Sequence, residues 1–328
     1  MVATKSETEI RLLAEVRTVL AYAAETGDCA RLVELAEQTV RNREIGDSVR
    51  LSVECDVQAL LSWARAFADS AVAWGRLERR AAALLPEDDP TLMSIRSMHA
   101  QYVRRRGEPG DEELGVLMYQ DEWNRRVEHL GRDDPRTGIA RTNLALALRE
   151  RGRPDDVDDA LRILEEETLS RVDRHGAGHP FTWRAQIILA QTKVRAAERA
   201  PDEETRERHA REALDIAGAL LGARRRRYGG SDKSTLNARL VHAQALLVLG
   251  RTAEAAAELR EVRTIPRRPG MDPGWPEFLL ARALTRDEPT EALTHARKAL
   301  DLRRRYYPRG SRQVREARDL VRELGGIA

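Results

Sequence analysis

Thr142-Asn-Leu-Ala-Leu-Ala-Leu-Arg-Glu-Arg-Gly152, followed by Arg153-Pro154 and the acidic run Asp155, Asp156, Asp158 and Asp159, decides the fold of this 328-residue chain. Leu144, Leu148 and, a turn earlier, Ile139 recur at helical spacing. Gly152 predicts a helix end, because a left-handed C-terminal residue costs least as glycine. Carboxylates just beyond it suit the positive end of a second helix dipole. In that helix Ala160, Leu161, Leu164 and Leu169 form the expected buried stripe. His179-Pro180 closes it and opens another unit.

The same grammar repeats along the chain. Asp89/Ala100, Asp134/Ala145, His179/Ala190 and Asp232/Ala243 each place a small residue eleven positions after a turn residue. Asp47 and Asp272 extend the series. A period of this length is the mark of a solenoid built from helical hairpins. Composition agrees: 34% of residues are charged and 4% aromatic, and Ala, Leu, Arg and Glu, all good helix formers, dominate. The expected architecture is all-α, with about six helical pairs. It runs from divergent N-terminal pairs (1–88), beginning near Thr8–Ala24 and Cys29–Arg43, through a repeat array (89–310) to a charged capping helix (311–328).

Several function classes are disfavoured. A formal net charge of +2 gives no global field for nucleic acid or membrane. The start MVATKSETEIRLL has no signal-peptide pattern, and no apolar run approaches a membrane span. Cys29 and Cys55 make neither a disulfide framework nor a zinc set. The expectation is a reduced, cytoplasmic protein without metal or cofactor. No Ser-His-Asp cue, His-Glu-x-x-His or Gly-rich dinucleotide turn is present, so it is not expected to be an enzyme. Gly229–Ser234 lacks the spacing of a phosphate loop and is expected to link helix pairs. His175 and His179 flank Gly-Ala-Gly, which disfavours a metal pair on one helix face. His179 instead fills the slot that Asp fills elsewhere.

Arg104–Arg106, Arg224–Arg227 and Arg303–Arg305 fall near helix ends, where cations complement the dipole, so architecture explains them before any acidic ligand does. Trp63, Trp74, Trp123, Trp183 and Trp275 are expected to pack in the core or between repeats, with an exposed Trp183 beside Phe181 as an alternative anchor. Val19, Val33, Leu35 and Val40 leave homodimerisation through the N-terminal pair open.

Asn143-Leu144-Ala145, Leu148, Gly152, Ala160, Leu164, Gly176 and His179-Pro180 together resemble tetratricopeptide repeats, in the longer subtype found in kinesin light chains. Ala243, Leu246, Gly250, Ala255 and Leu259 match the generic repeat. The eight-residue gap from Gly152 to Ala160 departs from the pattern and implies extra turn residues. The resemblance implies a right-handed superhelix whose first helices line a concave face. Its groove positions carry over to Gln101, Arg104, Thr142, Asn143, Leu146, Arg149, Gln191, Asn237 and Gln244. It further implies a protein or peptide partner, as an adaptor or scaffold. A regulator that senses a peptide or small effector is the alternative.

Overall fold

The computed structural model describes residues 6–26, 30–42, 45–263 and 272–327, and every regular element among them is an α-helix. Seven antiparallel hairpins follow one another. They are α1 (Glu7–Thr26) with α2 (Ala30–Arg41), α3 (Asp47–Ala64) with α4 (Phe67–Leu84), and α5 (Pro90–Arg106) with α6 (Asp111–Leu130). Next come α7 (Pro135–Arg151) with α8 (Asp156–His175), and α9 (Pro180–Arg199) with α10 (Glu203–Tyr228). The last two are α11 (Lys233–Val248) with α12 (Thr252–Arg263) and α13 (Trp275–Leu284) with α14 (Pro289–Tyr306), before a closing helix α15 (Arg312–Glu323). Each helix packs on its successor, and each first helix also touches the next first helix, which makes the array a solenoid.

The turn residues act as the spacing implies. Asp89, Asp134, His179 and Asp232 are N-caps with extended backbone, each accepting the N–H two residues on; Pro90, Pro135 and Pro180 follow at the first helical position. Gly152 ends α7 at φ +67°. The acids opening the second helices do more than complement a dipole. Asp156 is buried, takes Arg151 Nη2 at 2.6 Å and accepts the Arg153 N–H at 2.8 Å. Asp111 repeats the arrangement with Arg106 and the Glu108 N–H.

A second device locks a second helix to the next first helix at four of the joints. Arg126, Arg171, Arg224 and Arg303, all buried near the ends of second helices, each donate Nη1 to a carbonyl ten residues on: Arg136, Phe181, Ser234 and Gln313, at 2.7–2.8 Å. Every one stands eight residues before the next N-cap, Asp134, His179, Asp232 or Ser311. Arg171 also pairs with Glu167 Oε1 at 2.7 Å and reaches Thr142 Oγ1 of α7, within its own hairpin, at 2.9 Å.

The solenoid does not end in free solvent. One apolar cluster joins α4 and α5 (Phe67, Trp74, Tyr102) to α13–α15 (Ala296, Tyr307, Val314, Val321). Phe67 meets Tyr307 edge-on at 4.6 Å and Tyr306 at 6.1 Å. Arg312 Nη1 of α15 donates to the Glu150 carbonyl of α7 at 2.8 Å, 162 residues away. The array therefore curls round until its last helix docks near α5 and α7.

The structure amends several expectations. The described residues form seven hairpins where the sequence led to about six, because the first repeats lack the cap pattern. Asp47 is the first residue of α3, behind Gly46, and Asp272 precedes Gly274, the cap of α13, so neither holds the N-cap slot. Leu169 is 65% exposed, the reverse of the expectation, whereas Trp183 is only 6% exposed and packs as expected of the tryptophans, so it is no exposed anchor. Helix α15 is no mere solubilising cap, since Val314, Ala317, Leu320 and Val321 are buried in the shared core. Val19, Val33 and Leu35 pack with α3 residues such as Val53 and Val57 inside their own chain. Cys29 and the side chains of Val40 and Trp63 lie outside the described residues.

Candidate functional site

Closure turns the concave groove into a cavity of about 1350 Å³, walled mainly by the first helices α5, α7, α9, α11 and α13 and bounded by α14 and α15. Seven of the nine groove positions line it: Gln101, Arg104, Leu146, Arg149, Gln191, Asn237 and Gln244. The other two do not. Thr142 is buried, donating to the Gly138 carbonyl at 2.9 Å and accepting from Arg171. Asn143 is buried too, and its Oδ1 accepts Arg184 Nη2 at 2.9 Å. Thr142 ties α7 to α8 within its own hairpin, and Asn143 ties α7 to α9 of the next repeat.

The wall is cationic out of proportion to the chain. Ten arginines and Lys233 face five acids there, whereas the whole chain carries a net +2. The arginine clusters at helix ends divide by direction. Arg104, Arg105, Arg224 and Arg303 reach the cavity, while Arg225, Arg226, Arg227, Arg304 and Arg305 are exposed. Architecture explains Arg224 and Arg303, which spend Nη1 on the seam carbonyls. It explains Arg105 and Arg184 only in part, through the Phe67 ring at 5.5 Å and Asn143, and leaves Arg104 and Arg149 unexplained.

Electrostatics mark the crowding. Burial, then repulsion from Arg104, Arg312 and Arg195, brings Arg149 down to about 9, so it stays cationic at neutral pH but is held at a cost. Burial also lowers Arg184, and lowers Lys233 together with the charges of Arg105 and Arg184. Water reaches Arg184 and Lys233 from within the cavity although protein surrounds them, which softens the effect.

Apolar and amide groups separate the charges. Ile187, Ile188, Leu240 and Leu279 share the wall with Gln101, Gln191, Asn237 and Gln244. The aromatic rings are largely spoken for. Trp183 is covered edge-on by Tyr228, Phe278 lies under Arg303 at 4.3 Å, and the buried Tyr307 hydroxyl donates to Asp272. Sequence reasoning missed Arg105, Arg184, Lys233 and Arg312. The eight-residue step from Arg303 to Ser311, matching the other seams, is the signal that α15 continues the array.

His175 and His179 stack at 4.9 Å, and His179 Nδ1 accepts the Phe181 N–H, the capping role expected of it. Among the described residues, no helix is long and apolar enough to cross a membrane.

No protein-family model matches the chain, and no curated protein matches it. Solved structures similar to it include a TPR protein of Thermus thermophilus, 18% identical, covering 69% of this chain and 98% of that one with a TM-score of 0.46. Another is an array of nearly identical TPR-like repeats from Podosopora anserina, described as a kinesin light chain, 19% identical over 67% and 92% of the two chains with a TM-score of 0.42. A variant of that array covers 60% and 85% at 17% identity, with a TM-score of 0.43. The likeness is one of fold.

Proposed function

We infer that this protein is a binding module, an adaptor or scaffold without catalytic chemistry, whose closed solenoid takes up an acidic peptide segment of a partner protein. The observation that carries this reading is the cavity of about 1350 Å³ whose wall sets eleven cationic side chains against five acidic ones. A preformed concave site of that kind favours an anionic ligand before contact and holds it by charge-assisted hydrogen bonds afterwards. The amides of Gln101 on α5, Gln191 on α9 and Asn237 and Gln244 on α11 suit an extended backbone. Few ring faces are free for stacking, which favours a peptide over single-stranded nucleic acid.

The test is fluorescence anisotropy of the full chain with a labelled hexapeptide, Glu-Leu-Glu-Ser-Leu-Glu, beside the same peptide with Lys at each Glu. Saturable binding of the acidic peptide alone, weakening steeply between about 0.05 and about 0.3 M salt, is expected. Equal binding of both peptides, or of neither, would sink the reading. A second reading, an effector-sensing regulator, draws support from the docking of α15 at the cavity edge. It expects amides of α15 to gain protection from hydrogen exchange when ligand is added.

A further inference from the structure

One corner of the cavity is built differently from the rest. Every carboxylate there is divided between two guanidiniums. Glu150 is shared by Arg104 and Arg149, Glu198 by Arg195 and Arg282, and Glu316 by Arg303 and Arg312. The side chains come from five elements, α5, α7, α9, α13 and the α14–α15 hairpin, and meet only because the array closes. Arg104 is buried with Nε unpartnered, as are Arg303 and Arg224, and Arg312 Nε has only the long 3.7 Å ion pair with Glu316. Donors left idle in such a place are costly unless something fills them.

We propose that Arg104, Arg149 and Arg312 form the anchor for a phosphomonoester group carried by the peptide ligand. The proposal rests on the acidic-peptide reading and narrows it. Charge decides between the two oxyanions at hand. The corner's six guanidiniums share three carboxylates, Glu150, Glu198 and Glu316, which leaves three charges unbalanced; one ligand carboxylate offsets a single one of them. A phosphomonoester, with roughly −1.5 to −2 charge and three acceptor oxygens, offsets more and matches forks arriving from three helices. The repulsion among Arg104, Arg149, Arg195 and Arg312 is what such a dianion relieves. Arg312 also ties α15 to the Glu150 carbonyl at 2.8 Å, so a group held here spans the closure of the array.

The experiment compares the labelled hexapeptide Glu-Leu-Glu-Ser-Leu-Glu with its phosphoserine form on the full chain. At least about tenfold tighter binding of the phosphorylated form is expected, with competition by inorganic phosphate but not by acetate at equal ionic strength. Arg149→Gln and Arg312→Gln, on different helices, each erase that preference while the unphosphorylated peptide keeps its affinity within about threefold. Glu150→Gln removes a competing carboxylate and raises affinity for the phosphopeptide. Circular dichroism establishes that each variant is folded, and two separate variants keep one misfolded protein from deciding the matter. Equal affinity for the two peptides overturns the phosphate anchor and leaves the acidic-peptide reading standing. Binding of neither peptide overturns both. Tighter binding of a 5′-phosphorylated RNA hexamer than of the phosphopeptide overturns the proposal in favour of a nucleic-acid ligand.

Discussion

Two sets of arginines occupy similar places at helix ends and have opposite fates. In the seams, Arg126 and Arg171 are bonded at Nε and both Nη atoms, while Arg224 and Arg303 hold their seam carbonyls through Nη1 and leave Nε unpartnered. Arg126 alone engages Glu122, the Arg136 and Met93 carbonyls and the Ser97 hydroxyl, at 2.6–3.0 Å. On the cavity wall, Arg104 and Arg149 divide one glutamate, and Arg149 is pushed down to about 9. Buried charge is tolerable when its donors are filled and costly when they are not. The seams therefore hold the solenoid together, whereas the cavity holds a surplus of charge that an anionic ligand would discharge.

The sharpest way to break this contrast is at a seam. Arg171→Met leaves Glu167 buried without its cation and frees the Phe181 carbonyl and Thr142 hydroxyl. A loss of about 3–5 kcal/mol is expected, read from urea unfolding. Gly138 of α7 packs closely on the same pair, since a Cβ there would run into the Glu167 carboxylate. A loss below about 1 kcal/mol would put the seam arginines in the same class as surface pairs.

On the cavity wall the same kind of removal is expected to be mild. Arg149→Gln gives up Gln191 Oε1 and part of Glu150, but also ends repulsion from three neighbouring arginines. Stability within about 1 kcal/mol of the parent is expected by the same unfolding measurement, with the larger change appearing in phosphopeptide affinity. A fall as deep as that of Arg171→Met would erase the distinction between the two sets.

How much of this the sequence carries follows from what is periodic. The caps at Asp89, Asp134, His179 and Asp232 recur because each hairpin must satisfy the same N–H groups, so the hairpins can be read locally. The seam arginines were equally legible in their constant eight-residue step before a cap, although a dipole argument alone hid them. Closure was not legible. Phe67 against Tyr306 and Tyr307 is a single contact between distant segments, and nothing repeats to announce it. With closure unread, positions carried over from the groove pattern could not separate Arg149, on the wall, from Asn143, which is buried and tied to α9. The acid balance of the cavity was hidden for the same reason, because Glu150 and Arg312 meet only in the closed array.

The smallest expected effect concerns the outer surface, where pairs are exposed enough for water to weaken them. Glu87 joins Arg96 at 2.7 Å and Arg125 at 3.0 Å, bridging the start of α5 to α6, and these cations bring its carboxyl down to about 2. Its folded value lies below the unfolded one, so its contribution is complete above about pH 4.5 and is lost as pH falls toward 2. The side chain is more than a third exposed, so screening keeps the contribution to a few tenths of a kcal/mol. Glu87→Gln should therefore leave neutral-pH stability nearly unchanged and slightly flatten the decline of unfolding free energy between pH 4.5 and 2. A neutral-pH loss comparable to that of Arg171→Met would mean that surface pairs, and not the buried arginine seams, carry the joints between hairpins.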